Sequence, residues 1–451
     1  MKKRFALTVF LALLAQLLPL WGQPSAAKKP NLLLVTFDTT RADRLGCYGF
    51  EGIRTPSIDR LAREGVLFED VYAQAPQTLP NHSSIFTGLY TITHNVLSNG
   101  QKLGDPALTL AEILSASGYK TGAIVAAAPL IKVFNLSQGF GHYDDDFESR
   151  DGVGYFKVFM RLFSGNRINL PSERRGDAVA RLAIQWLDRV SRSKRPFFLW
   201  VHFFDPHEPY NFREDFDRPE VVIESPGPNR FGEDEAAYLS EIEFADYQLG
   251  KVLDHLDRLG LADQTLTLFT ADHGESLGEH EYRGHRESVY ESVVRVPLIF
   301  RMPRILPAGE RLATRAMSID VLPTLLTLLE IPYLPTSFQG GNLFKLLEND
   351  PRKRYSVAVK LFSRMPIRRT MVFGDHKFIE FDDPERNALF NIVDDPGEQV
   401  NLISDRPPEA DRISWREEID RWWETHAALQ FTDFKMTPEQ LQRLKSLGYL
   451  N

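Results

Sequence analysis

The sequence predicts an α/β protein with a mainly parallel central sheet flanked by helices and a smaller antiparallel sheet near the C-terminus. Three observations carry this. Apolar runs without a helical period recur at 31–37, 197–203 and 265–270, as in strands buried on both faces. Long amphipathic stretches at 176–193 and 234–259 lie between or beside them, and strands alternating with such helices favour a parallel sheet. After Arg354 the pattern changes to short, closely spaced strand-like runs with turn residues between them, which reads as an antiparallel meander.

Each element has a local reason. Residues 31–37 (NLLLVTF) are the first strand. Residues 71–75 extend before a turn at 78–82, and 83–87 is helix-like. The helix at 109–117 has Thr109 as its cap and Gly118 as its stop, with a strand next at 121–125. The helix at 176–193 leads into the strand at 197–203 (FFLWVHF). The Pro- and charge-rich stretch 204–233 reads as a long surface loop, a lid in form. The helix at 234–259 has Asp234 as cap and Gly260 as stop, and strands follow at 265–270 and 296–300. A helix at 318–330 closes this part. The meander comprises 355–361, 369–373, 377–381 and 388–393, Trp422 and Trp423 pack a C-terminal helix, and 437–447 is a capped terminal helix. The expected organisation is therefore a signal peptide at 1–27, a catalytic domain at 28–345 and a C-terminal subdomain at 346–451.

Composition narrows the function. The chain has 451 residues, 43% hydrophobic and 25% charged, as in a soluble globular protein. With 53 Lys and Arg against 61 Asp and Glu, the formal net charge is −8, which argues against a nucleic-acid partner. The single cysteine, Cys47, excludes an intramolecular disulfide framework and a Cys-based zinc finger. Lys2, Lys3 and Arg4 precede an apolar run to Trp21, and small residues follow at 24–27. That is the layout of a secretory signal peptide, with a retained anchor as the alternative. The expected location is secreted or periplasmic, without stable membrane insertion after cleavage.

Ionisable residues cluster just past strand ends. Asp38 follows the first strand, Asp205 and His207 follow 197–203, and Asp272 and His273 follow 265–270. In a parallel sheet such positions share one edge, where ligands bind. Carboxylates with imidazoles form a ligand set for a divalent metal such as zinc or manganese. For any one Asp the plainer reading is a helix cap; the coincidence at three strand ends favours a site. Thr78 precedes a helix-like run, where an anion is favoured.

These residues stand within longer motifs. Residues 31–49 (NLLLVTFDTTRADRLGCYG), 55–62 (TPSIDRLA), 78–82 (TLPNH) with 87–90 (TGLY), 205–210 (DPHEPY) and 272–275 (DHGE) resemble the sulfatase family of the alkaline phosphatase-like superfamily. The likeness continues through Tyr290-Glu291, 295–299 (RVPLI), 320–325 (DVLPTL), 394–398 (DDPGE) and Asn401-Leu402. It implies an alkaline phosphatase-like fold and a metal-dependent ester hydrolase acting on an anionic small-molecule or glycan ester. By position, Asp38, Thr78, Asp272 and His273 resemble the metal set, with Thr78 also the nucleophile. His207 matches the family's active-site histidine, and His285 or Arg286 falls near its Lys or His upstream of the Tyr-Glu pair. Asp205, His207 and His285 are an alternative second metal site, as in two-metal relatives.

Two departures set the expected chemistry. The family's Cys or Ser, converted to formylglycine in a Cys/Ser-x-Pro-x-Arg motif, is Thr78 here, and His82 replaces the Arg. A β-methyl prevents that oxidation, so formylglycine is not expected, and phosphoester, phosphodiester or phosphonate cleavage is favoured over sulfate. Thr39 stands where many sulfatases have a second Asp, and Asp272-His273 replaces Asp-Asn. Zinc or manganese is thereby favoured, with calcium the lesser choice. The alternatives are a phosphoethanolamine- or phosphoglycerol-type transferase, a sulfatase working without formylglycine, and an inactive binding relative. Residues 274–278 (GESLG) also spell a serine-hydrolase elbow, but no helix-forming run follows.

Overall fold

The computed structural model describes residues 29–147, 173–211, 232–333, 337–345, 354–359, 366–404 and 414–427. The expected signal peptide and the terminal helix at 437–447 lie outside them, as does most of the loop at 204–233. No described helix is long and apolar enough to cross a membrane. The described strands in the first half are β1 (Asn31–Phe37), β2 (Val66–Phe68), β3 (Val71–Tyr72), β4 (Lys120–Ile124), β5 (His142–Asp144) and β6 (Phe197–Phe203). Then come β7 (Thr265–Ala271), β8 (Ser276–Leu277), β9 (Arg283–Gly284), β10 (Leu298–Arg301), β11 (Glu310–Leu312) and β12 (Ala316–Met317). The last four are β13 (Arg354–Val359), β14 (Pro366–Phe373), β15 (His376–Phe381) and β16 (Ala388–Asn391). The main helices are α1 (Pro56–Arg63), α2 (Thr78–Thr87), α3 (Leu110–Ala116), α4 (Gly176–Ser191), α5 (Gly232–Arg258), α6 (Val321–Leu328) and α7 (Trp415–His426).

The central sheet has eight strands in the order β11-β2-β10-β7-β1-β6-β4-β5. Only β10 runs against its neighbours, β7 and β2. β1, β6 and β7 are buried along their whole length, which is why each reads as an unbroken apolar run rather than an alternating one. β1 lies between β6 and β7 and is parallel to both, with Phe37 opposite Phe203 and Ala271. The three strand ends therefore share one edge, and the residues just past them are brought together.

Helix α3 starts at a capping box, Thr109 accepting from Glu112 N–H and Glu112 reaching back. Gly118 follows with φ 94°, a left-handed turn suited to glycine. Helix α1 is capped from a distance: Asp246 on α5 accepts from the N–H groups of Ser57 and Ile58 at 3.1 and 2.8 Å. Burial pushes the Asp246 carboxyl up to about 7. A raised folded value means stability that is complete below the unfolded carboxylate range and is lost as pH rises through about 7. Asp246→Asn keeps an acceptor and removes the charge. Its Tm should exceed that of the parent by several degrees at pH 8 and match it near pH 4. Equal melting at pH 8 would contradict the assignment.

The C-terminal sheet is antiparallel in the order β13-β14-β15-β16, matching the expected meander. Both its faces are covered. Met371, Phe378 and Leu389 pack with Trp415, Ile419 and Trp422 of α7 and with Tyr90 and Ile319. Val372, Ile379, Phe381 and Phe390 pack against Tyr72, Val289 and Val294. Trp422 stacks on Tyr355 at 4.3 Å and is a core residue. Wholly buried Lys377 on β15 reaches Glu291 at 2.8 Å and Glu398 at 2.9 Å. Glu398 also accepts from Glu291 N–H at 2.7 Å. The last motif of the resemblance thus ties the small sheet to the segment carrying Tyr290-Glu291, and removing Lys377 would leave two buried carboxylates facing each other.

Candidate active site

Asp38 continues β1 by one residue, its N–H donating to Phe203 O at 2.8 Å. Asp272 does the same for β7, donating to Phe37 O at 3.3 Å. Ladder bonds thus fix both carboxylates at the sheet edge. Between them the chain turns at Thr39, whose φ of 49° is uncommon for a β-branched residue. Three hydrogen bonds hold that turn. Thr39 N–H donates to Asp272 Oδ1 at 3.2 Å, its hydroxyl donates to Pro206 O at 2.8 Å, and Tyr238 OH donates to Thr39 O at 2.8 Å. The Thr39 hydroxyl is thereby committed to the loop after β6.

Thr78 is the first residue of α2, a helix buried at all ten positions. Its hydroxyl lies 3.5 Å from Asp38 Oδ2. Asn99 Oδ1 accepts from the Leu79 N–H at 2.9 Å, and Gln77 Oε1 accepts from the Asn99 N–H at 2.8 Å. Asn81 donates to Asp272 O at 2.5 Å and accepts from Gln74 N–H at 2.8 Å, locking the helix start to the end of β7. His82 is wholly buried one turn later. Its Nδ1–H donates to Thr78 O at 2.8 Å, and its Nε2 accepts from the Thr36 hydroxyl at 3.0 Å. Thr36 in turn accepts from Trp200 Nε1–H at 2.9 Å. Burial, then the neighbouring His202, drives the His82 imidazole well below its ordinary value. A neutral, fully bonded ring thus occupies the position where the family has a cation.

Three imidazoles share a pattern. His273 Nδ1–H donates to Gly274 O at 3.0 Å, His207 Nδ1–H to Glu208 O at 2.6 Å, and His285 Nδ1–H to Glu275 Oε1 at 3.1 Å. Each bond fixes the tautomer and leaves Nε2 with its lone pair. The His273 and His285 rings are 4.4 Å apart, and those of His207 and His285 are 5.2 Å apart. Burial pushes His285 down to about 3, helped by Arg286, and burial with the His285 charge pushes His207 down to about 3. Burial drives Glu275 up to about 7, with His207 opposing.

The carboxylates respond in the opposite sense. Burial, then Glu275, holds Asp38 well above the usual carboxylate range, and burial, then Asp38, does the same to Asp272. Among the described residues Asp38 Oδ1, Asp272 Oδ2 and His273 Nε2 have no hydrogen-bond partner, and all three side chains are wholly buried. One donor atom from each lies within 4.8 Å of the other two. Orphaned acceptors converging in a dry site are costly unless a cation fills it, so this donor set fits a divalent metal.

Asp38, Thr78, Asp272 and His273 are therefore brought together, with His207 and His285 beside them. His285 is buried among the imidazoles, whereas Arg286 is half-buried and its carbonyl accepts from Gln77 Nε2 at 3.5 Å. Asp205 Oδ1 accepts from Gly176 N–H at 3.0 Å, holding the start of α4. The residues that sequence reasoning did not single out are Glu275, which orients His285, and His202, whose Nε2 is 3.4 Å from Asp38 Oδ2. An imidazole inside an otherwise apolar strand was the signal for His202. Ser276 lies on a two-residue strand and its hydroxyl donates within its own hairpin, to Tyr282 O at 3.1 Å, so GESLG is no nucleophile elbow. A cavity of about 1070 Å³ beside α1 and α5, lined by Cys47, Phe50 and Tyr247, shares no residue with the cluster.

The family model described as Sulfatase matches residues 30–331. A second, described as N-sulphoglucosamine sulphohydrolase, C-terminal, matches residues 278–422. An ulvan-active sulfatase of Formosa agariphila is 27% identical over 415 residues, covering 84% of this chain and 78% of its own length. An arylsulfatase of Clostridium perfringens is 27% identical over 442 residues, covering 83% of this chain and 90% of its own. Among solved structures, one in complex with its substrate D-glucosamine-2-N,6-O-disulfate has a TM-score of 0.67 at 20% identity, covering 88% of this chain and 97% of that one. The phosphonate monoester hydrolase of Agrobacterium radiobacter has a TM-score of 0.66 at 21% identity, covering 90% and 96%.

Proposed function

The chain belongs to the sulfatase family, metal-dependent hydrolases of ester bonds with an alkaline phosphatase-like fold, and from that premise we propose that it cleaves phosphate-type esters with Thr78 as the nucleophile. The observation that carries the reading is the Thr78 hydroxyl, at the first residue of a buried helix and 3.5 Å from Asp38 Oδ2. A threonine cannot become formylglycine, so the hydroxyl itself must do the attacking. The fold is common to a protein in complex with its substrate D-glucosamine-2-N,6-O-disulfate and to a phosphonate monoester hydrolase, and leaves both ester classes open. The preference for phosphoester, phosphodiester or phosphonate rests on Thr78.

Asp38, Asp272, His273 and Thr78 would hold the divalent metal. When bound, it supplies positive charge at the ester oxygen and makes the Thr78 hydroxyl easier to deprotonate. The ester anion meets the N-terminus of α2, where the helix dipole favours negative charge. Thr78 Oγ attacks phosphorus in line and gives its proton to Asp38 Oδ2, and on the opposite side an imidazole Nε2 of the His207–His285 pair, carrying a proton taken from solvent, donates it to the oxygen of the departing alcohol. Water then attacks the phosphothreonine, the same nitrogen accepts the water's proton, and Thr78 regains its hydrogen as the anion departs. Glu275 keeps the His285 Nε2 lone pair turned to this work, and Arg286, whose charge is felt by His207 and His285, supplies charge for the incoming anion. The Lys2–Arg4 and Phe5–Trp21 layout assigns the mature enzyme to the periplasm or the exterior, where anionic small-molecule or glycan esters are met.

The test is a panel of aryl phosphate, phosphodiester, phosphonate and sulfate esters of one alcohol, run on the metal-replete mature chain. The expected order places a phosphate-type ester first by kcat/KM. Sulfate turned over fastest would overturn the preference, and transfer of the anion to an added alcohol in place of water would favour a transferase.

A further inference from the structure

His202 has no work in the catalytic scheme, yet its environment demands some. It lies on β6 opposite Thr36 of β1 and is wholly buried. Neither of its ring nitrogens has a hydrogen-bond partner among the described residues. A neutral imidazole carries one N–H donor and one lone-pair nitrogen, and leaving such groups unmet in a dry interior costs about 1–3 kcal/mol each. Its neighbour His82 offers no relief, since both nitrogens of that ring are already bonded.

The orphaned atoms are not scattered. His202 Nε2 is 3.4 Å from Asp38 Oδ2, while His273 Nε2 is 3.9 Å from Asp38 Oδ1 and 3.6 Å from Asp272 Oδ2. Two donors bound to one cation at about 2.1 Å stand roughly 3.0–4.2 Å apart, from right-angled to opposed positions. Each of the three separations falls in that interval. Donor atoms of His202, Asp272 and His82 form one set within 4.8 Å of one another, and those of Asp38, Asp272 and His273 form a second, with Asp272 common to both. Asp38 therefore turns one oxygen towards each histidine, and Asp272 is within reach of both.

We infer that His202 is a ligand of the divalent metal through Nε2, so that the site carries two imidazoles and two carboxylates in addition to Thr78. The inference rests on the metal reading of the proposed function. It also sharpens the choice of ion, because a second nitrogen donor favours zinc, manganese or cobalt over calcium.

The experiment loads the full mature chain with Mn(II) and counts imidazole nitrogens coupled to the ion by pulsed EPR, with zinc affinity measured by chelator competition. Two coupled imidazoles are expected in the parent and one in His202→Leu. Zinc binding should weaken at least about tenfold, the scale on which even outer groups of metal sites matter. Metal-free His202→Leu should melt no lower than the metal-free parent, because it removes an unmet buried group. One coupled imidazole in the parent overturns the assignment without needing any variant. Equal nitrogen counts or equal zinc affinity in parent and variant would overturn it too, with the metal site itself left standing. A parent chain that binds neither ion ends both this inference and the reading beneath it.

Discussion

Thr78→Ala should lower kcat on the best ester by on the order of 1,000-fold or more, as removal of a covalent nucleophile does elsewhere. The side chain is small and wholly buried, and its hydroxyl makes only a long, 3.5 Å approach to Asp38. Little packing is lost, so Tm should change by only a few degrees, and the loss of rate cannot be blamed on unfolding. Thr78→Ser keeps the oxygen and removes only the methyl, and should retain most of the activity. The pair separates chemistry from packing: Ala and Ser both remove the methyl, and only Ala removes the attacking atom. Mass spectrometry after rapid quenching should find a phosphate-type adduct on the peptide carrying Thr78 in the parent and none in the Ala chain. Unchanged turnover by Thr78→Ala would remove the residue from the mechanism, whatever the fate of the metal.

The parts of the site that the sequence disclosed are those imposed by the sheet. β1, β6 and β7 are buried on both faces, so their sequences are unbroken apolar runs, and the first ionisable residue past each run marks the sheet edge. Asp38, Asp272 and His273 could be placed from that alone. The helix bearing Thr78 was harder. It starts at Thr78, five residues before the expected helix-like run, and every one of its residues is buried. A helix covered all round shows no amphipathic stripe, and TLPNH has no apolar period to reveal it. Glu275 and His202 depend on partners distant in sequence. Nothing local tells that Glu275 meets His285 at 3.1 Å across a hairpin, or that a strand imidazole has been left without hydrogen bonds. The short strands β2, β11 and β12, of two or three residues each, are set by their neighbours and carry too few residues for a period. Asp205 Oδ1 makes the helix-start bond to Gly176 N–H that an Asp at a strand end commonly makes.

Stripping the metal should abolish turnover, and zinc or manganese should restore it where calcium does not. The reason lies in what the empty cluster costs. Two buried carboxylates face each other; burial, then the Glu275 charge, raises Asp38, and burial, then the Asp38 charge, raises Asp272, both well above the usual range. Carboxyls raised in this way hold their protons to higher pH in the stripped chain, and a returning cation must displace those protons. Loading should therefore release protons into weakly buffered solution, and affinity should fall as pH is lowered, because protons and the cation compete for the same oxygens. The folded state gains what the cation contributes to it alone, so Tm should rise with metal concentration, by about 2.7 kcal/mol of stability at a hundredfold excess over Kd. Calcium prefers six to eight oxygens, and this cluster offers two carboxylates and a hydroxyl beside imidazole nitrogen. A chelated chain that keeps its full rate would refute metal dependence in this member. Restoration by calcium as complete as by zinc would refute a ligand role for His273, since an oxygen-seeking ion gains least from that nitrogen.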